Sequence, residues 1–184
     1  MKIYFTASIV GKKHYLANYE KIVAYLKNKG QEVTSDHILK TTENEIRFEE
    51  KEERLKFHEK LEGWIKSCDV VIAETSFPSI SVGYEISVAI HLGKPILVLY
   101  SEGHPPSLLA HHREDNLICE KYSTDTLCEI IEDFLNYAQD TSDSRFTFYI
   151  TSHIASYLDD ISLKKKIPKS VYLRRLIEKD MKNS

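Results

Sequence analysis

Residues 69–94 read DVVIAETSFPSISVGYEISVAIHLGK. The first seven, DVVIAET, form a near-continuous apolar run rich in valine and isoleucine, the pattern of a strand buried on both faces. A small polar loop with Pro78, Ser76 and Ser79 follows. ISVAIHLG (86–93) then resumes with helical spacing and closes on Gly93. A strand handing over to a helix through small residues is the repeating unit of a parallel α/β sheet. The stretch also places one carboxylate, Glu85, directly behind the loop.

The same alternation extends in both directions. KIYFTAS (2–8) and PILVLY (95–100) are further apolar strands, and QEVTS (31–35) and NLICEKY (116–122) are weaker ones. Helical patterns lie between them: YEKIVAYLKNKG closing on Gly30, the charged stretch 43–67, and TLCEIIEDFLNYA (126–138). Strands alternating with helices predict a doubly wound, flavodoxin-like α/β domain over residues 1–138. In the charged stretch, Glu50/Arg54 and Glu52/Lys56 fall at i,i+4, while Phe57, Leu61, Trp64 and Cys68 make one apolar stripe.

A net charge of −3 implies no general affinity for nucleic acid. Three cysteines without a CxxC or zinc-type spacing predict reduced thiols and no metal centre. The start MKIYFTASI enters a strand at once and no apolar run approaches membrane length, so the expectation is a cytoplasmic protein without membrane contact. QDTSDS (139–144) reads as a linker. Beyond it come an alternating strand, RFTFYIT, and two short helical patterns, over residues 145–184. Forty residues of strand–helix–helix cannot bury a core alone, which predicts a homodimer or a higher even oligomer.

In an open parallel sheet, ligands bind beyond the carboxyl ends of the strands. Ala7–Gly11, Asp36-His37, Ser76–Glu85 and Tyr100-Ser101 fall at that edge. Small residues there admit a ligand to the backbone, and free amides at helix starts favour a phosphate. Glu85 either faces this crevice from the first helical turn or simply caps its helix.

These residues resemble a known family. YFTASIVG (4–11), SDHI (35–38), Trp64 five residues before DVVIAE, and above all PSISVGYE (78–85) are similar to the nucleoside 2-deoxyribosyltransferase superfamily, nearest its 2'-deoxynucleoside 5'-phosphate N-hydrolase branch. The resemblance covers residues 2 to about 110. It implies cleavage or transfer of the N-glycosidic bond of a (deoxy)nucleoside 5'-monophosphate, with no cofactor and no metal. It makes Glu85 the nucleophile and sets Tyr4 beside the substrate. It assigns the 5'-phosphate to Ser8 and Ser79 and makes Ser107 a serine supplied by a neighbouring subunit. Ile9, Gly11, Ser81 and Gly83 complete the binding loops, and His37 is placed to touch a base or sugar. Three positions depart from the pattern: Leu61 stands where the family carries an aspartate, Val10 replaces an arginine or other polar residue, and Ser81 replaces a glycine. His58 and Glu62 flank Leu61 on a helix; either they supply the missing acid or they are solvated neighbours of the apolar stripe.

Residues 145–181 resemble the ribbon-helix-helix DNA-binding fold, through FTFYIT, YLDDISLKKK and IPKSVYLRRLI. That likeness turns Arg145, Thr147 and Tyr149 outward for the major groove and sets Lys169 and Ser170 at phosphates. Two readings of the tail stand side by side: DNA binding, or dimerisation alone. Leu61 also opens a different class for the whole chain, a nucleotide sensor that regulates the tail.

Overall fold

A computed structural model describes residues 1–48, 51–103, 106, 116–139, 150–165 and 169–183. Five strands form one parallel sheet: β1 (Lys2–Ala7), β2 (Glu32–Thr34), β3 (Val70–Glu74), β4 (Ile96–Tyr100) and β5 (Leu117–Lys121). Their spatial order is β2-β1-β3-β4-β5, the doubly wound arrangement expected from the sequence. Ile3 pairs with Val70 and Ala7 with Glu74, so the carboxyl ends of β1 and β3 lie level. Every residue of β3 is buried, as its unbroken apolar run requires.

The helices flanking these strands are α1 (Lys12–Asn28), α2 (Asp36–Leu39), α3 (Glu43–Phe48), α4 (Lys51–Ser67) and α5 (Ile80–His91). On one sheet face Tyr4, Val71, Ala73, Ile96 and Val98 pack with Leu61, Ile65 and Cys68 of the α4 segment and with Val82, Ile86 and Ala89 of α5. The Phe57–Leu61–Trp64–Cys68 stripe therefore points inward as its spacing predicts, with Phe57 and Trp64 at its margin. On the opposite face Phe5 meets Tyr19 of α1 edge-on, with ring centroids 6.1 Å apart.

Two glycines end helices in the left-handed region. At Gly93, with φ 66°, the amides of Gly93 and Lys94 bond back to Ile90 and Ala89. Gly30, with φ 75°, closes α1 in the same manner through Lys27 and Leu26. A residue with a Cβ is strained at such positions.

The chain divides into two compact units, Met1–Lys121 and Tyr122–Ser184. The second unit contains α6 (Leu127–Gln139). Leu127, Ile130, Ile131, Phe134 and Leu135 of α6 are buried. The two expected tail helices are present as α7 (Ser152–Lys165) and α8 (Lys169–Asn183). They pack through Leu158 and Tyr172, flanked by Ile161 and Leu173. Arg175 and Arg174 of α8 pair with Glu129 and Asp133 of α6. The ribbon expected at 145–150, with Arg145, Thr147 and Tyr149, lies outside the described residues apart from Ile150. Among the described residues no helix is long and apolar enough to cross a membrane.

Candidate active site

At the carboxyl edge of the sheet, the first strand and the fifth helix meet in a buried polar contact. The Tyr4 hydroxyl donates a 3.0 Å hydrogen bond to Oε2 of Glu85. Tyr4 is fully buried and Glu85 is 5% exposed. Glu85 is the sixth residue of α5, in the second turn rather than the expected first. The helix is capped instead by Ser79, whose side chain accepts from the Val82 amide. Capping therefore does not explain Glu85. Its position, one and a half turns into the helix, carries it under the sheet edge toward Tyr4.

Burial pushes the Glu85 carboxyl above the usual carboxylate range, opposed by the hydroxyls of Thr6 and Tyr4. Burial, together with the negative charge of Glu85, likewise raises the Tyr4 phenol. Tyr4 therefore stays a donor, and its hydrogen bond to Glu85 favours the ionised carboxylate.

His37 completes the cluster. Its ring stacks on Tyr4 at 5.0 Å and leans on Trp64 at 5.1 Å. Burial holds its pKa down to about 4, so the imidazole is neutral at physiological pH. Neither ring nitrogen has a hydrogen-bond partner among the described residues, although the residue is 8% exposed. A buried polar group left unsatisfied costs about 1–3 kcal/mol. Lys12 fixes this segment from α1: its ammonium donates to the carbonyls of Ile38 (3.0 Å), Leu39 (3.0 Å) and Thr41 (2.7 Å).

The binding-loop residues fall at the same edge. Ser8 is buried, and its hydroxyl accepts from the Gly11 amide at 3.1 Å, shaping the turn into α1. Gly11 has a packing reason for being glycine: an added Cβ would lie 2.6 Å from the Phe77 Cβ and 2.7 Å from the Tyr19 hydroxyl. Ile9 and Ser79 are half-buried, while Ser81 and Gly83 are exposed at the start of α5. A Cβ at Gly83 would meet nothing within 4 Å, so that surface is open. Ser107 lies outside the described residues.

The two candidate acids stand elsewhere on α4. His58 Nε2 is 2.7 Å from the Tyr84 hydroxyl, and Tyr84 donates to Oε1 of Glu62 at 3.4 Å. His58 and Glu62 are themselves 3.7 Å apart, about half exposed. Leu61 between them is buried in the same apolar cluster as Tyr4. Of the tail residues, Lys169 is paired with Asp159, which offsets the charge intended for a phosphate, and Ser170 sits in the first turn of α8.

Sequence reading passed over Thr6 and Lys12. Thr6 is fully buried two residues beyond Tyr4, and the period of a strand puts the two on one face. No local pattern announces the Lys12 clamp.

A family model described as nucleoside 2-deoxyribosyltransferase matches residues 3–143. The chain belongs to that family. Among curated relatives, the 5-hydroxymethyl-dUMP N-hydrolase of Mus musculus is 41% identical over 99 residues, covering 53% of this chain and 56% of the relative. The protein of the same name from Rattus norvegicus is 37% identical over 98 residues, covering 53% and 60%. The match thus spans little more than half the length of these two. The CMP N-glycosidase of Clostridium botulinum shares the fold, with a TM-score of 0.51 at 20% identity over 72% of this chain and 99% of that one. For a nucleoside 2-deoxyribosyltransferase family member, the PSISVGYE loop and β1 are where the buried Tyr4–Glu85 pair arises.

Proposed function

We propose that this protein hydrolyses the N-glycosidic bond of a 2'-deoxynucleoside 5'-monophosphate, with Glu85 as nucleophile. The observation that carries the reading is the buried Tyr4–Glu85 hydrogen bond beside an unsatisfied neutral imidazole. A carboxylate oxygen attacks C1', forming an ester as the C1'–N bond breaks and its electron pair departs with the base. Water then cleaves the ester, which returns Glu85 and releases the sugar phosphate, while its proton balances the one gained by the base. Another acceptor in place of water makes the same intermediate a transferase step. His37 hydrogen-bonds the leaving base through its free ring nitrogens, a role suited to bases that depart as stabilised anions. Ser8, Ser79 and the amides at the start of α5 receive the phosphate. The names of the curated relatives, both deoxynucleotide N-hydrolases, support the substrate class. Incubation with a panel of nucleoside and deoxynucleoside monophosphates, followed by chromatography of released bases, tests it. Release from no nucleotide overturns the reading.

A second reading is favoured by one position. Leu61 is buried and apolar where the family resemblance implies a carboxylate, which suits a nucleotide sensor acting on its own tail. Calorimetry showing nucleotide affinity without turnover, and a nucleotide-dependent affinity for DNA, distinguishes it. In either reading the chain is a homodimer, supported by Ile154, Tyr157, Leu176 and Ile177 standing exposed on α7 and α8.

A further inference from the structure

Thr6 is an anomaly within the apolar face of β1. It is fully buried and pairs across the sheet with Ala73, a small apolar residue. Its hydroxyl makes no hydrogen bond of ordinary length among the described residues. Valine has nearly the same shape and carries no desolvation penalty, so a threonine here is destabilising unless its hydroxyl has work in another state. Hydrogen bonding by this hydroxyl, together with that of Tyr4, favours the ionised form of Glu85. Strand periodicity puts Tyr4 and Thr6 on one face, and Tyr4 already holds one oxygen of that carboxyl.

We propose that Thr6 is a positioning residue whose hydroxyl donates to the Glu85 carboxylate once it ionises, so that two adjacent hydroxyls of β1 hold the nucleophile. The assignment rests on the hydrolase reading given above. A carboxylate within an apolar cluster otherwise has too few donors to remain charged. Among the described residues, Tyr4 of β1 is the titratable group that touches it, with His37 of α2 stacked on Tyr4 and Cys68 beyond α4 in the same apolar cluster as Tyr4; burial raises the phenol and the thiol and lowers the imidazole, so all three are neutral at pH 7. His58 and Glu62 on α4 meet Tyr84 on the outer side of α5. Neither Tyr4, His37 nor Cys68 brings a positive charge, so hydrogen-bond donors must stabilise the anion.

The test compares the full chain with Thr6→Val and Thr6→Ser. Glutamate carboxyl carbons are followed by NMR across pH without substrate, and Glu85→Gln identifies the Glu85 signal. Thr6→Val is expected to move that titration to higher pH and to shift the acid limb of kcat the same way. A donor to a charged group is worth roughly tenfold or more, so kcat at neutral pH falls about tenfold with KM changed by less than about twofold. Thr6→Ser restores both. An unchanged Glu85 titration in folded Thr6→Val overturns the proposal, and so does a rise in KM alone, which would make Thr6 a substrate contact. Because the NMR titration needs no turnover, an inactive wild type would end the hydrolase reading while the role of Thr6 is still decided.

Discussion

Tyr84 and Glu85 are neighbours in the chain, yet they belong to two acid–base clusters of different physics. Glu85 turns inward to Tyr4 and Thr6, with His37 stacked on the Tyr4 ring, and burial there raises the carboxyl and lowers the imidazole. Tyr84 turns outward to His58 and Glu62, which stand about half in solvent. Both clusters offer a histidine, a glutamate and a tyrosine. Water screens the outer set, whereas the inner set has only its own members to satisfy its polar atoms. Composition therefore says little about how either trio behaves, because burial sets its acid–base character.

The sharpest way to break this contrast is to remove one carboxylate from each cluster. Glu85→Gln is expected to lower base release by about a thousandfold or more, as loss of a covalent nucleophile does. Glu62→Gln or His58→Ala should cost less than about tenfold. Comparable losses in initial-rate assays at both places would make the outer cluster catalytic as well.

Acid provides the second test. The folded-state pKa of His37 is depressed to about 4 from 6.5, so its contribution is present above pH 6.5 and lost as pH falls toward 4. The full effect is about 3 kcal/mol. Urea unfolding of His37→Gln should lack that component of the acid loss. Glu85 runs the other way: its raised pKa makes the folded state relatively stronger at low pH and weaker once the group ionises. Glu85→Gln should accordingly unfold at higher urea than wild type at pH 8 and show no such advantage at pH 4.

Leu61→Asp brings a second carboxylate into the inner cluster. Burial of the charge should destabilise the protein by about 2–4 kcal/mol, read from the urea midpoint. Base release should rise, because the new acid can protonate the departing base. A folded, nucleotide-binding Leu61→Asp without such a gain would favour the sensor reading. The smallest effect is expected on the outside. Tyr84→Phe removes hydrogen bonds to two exposed partners and should shift stability by less than about 1 kcal/mol, since water replaces them.

Much of the frame was legible without coordinates. The unbroken apolar runs of β1, β3 and β4 specify strands covered on both faces, and Gly30 and Gly93 mark helix ends because left-handed backbone is a local property. The stripe from Phe57 to Cys68 shows which side of α4 turns inward, since helical periodicity is local too. PSISVGYE singled out Glu85. The turn it occupies within α5 was misjudged, because Ser79, four residues before Gly83, proved to be the cap.

Which groups meet in the interior is another matter. Tyr4 and Glu85 are 81 residues apart and touch only because parallel crossovers bring β1 beneath α5. His37 reaches Tyr4 from a four-residue helix that the Lys12 ammonium pins by its carbonyls, an interaction between residues 26 to 29 apart. Thr6 looks like any strand threonine until its burial and its effect on Glu85 are known. Sequence thus determined the elements, whose signals repeat every two or 3.6 residues. Tertiary structure decided the acid–base character of the site, because a pKa answers to solvent and neighbours, and both are set only when distant segments pack.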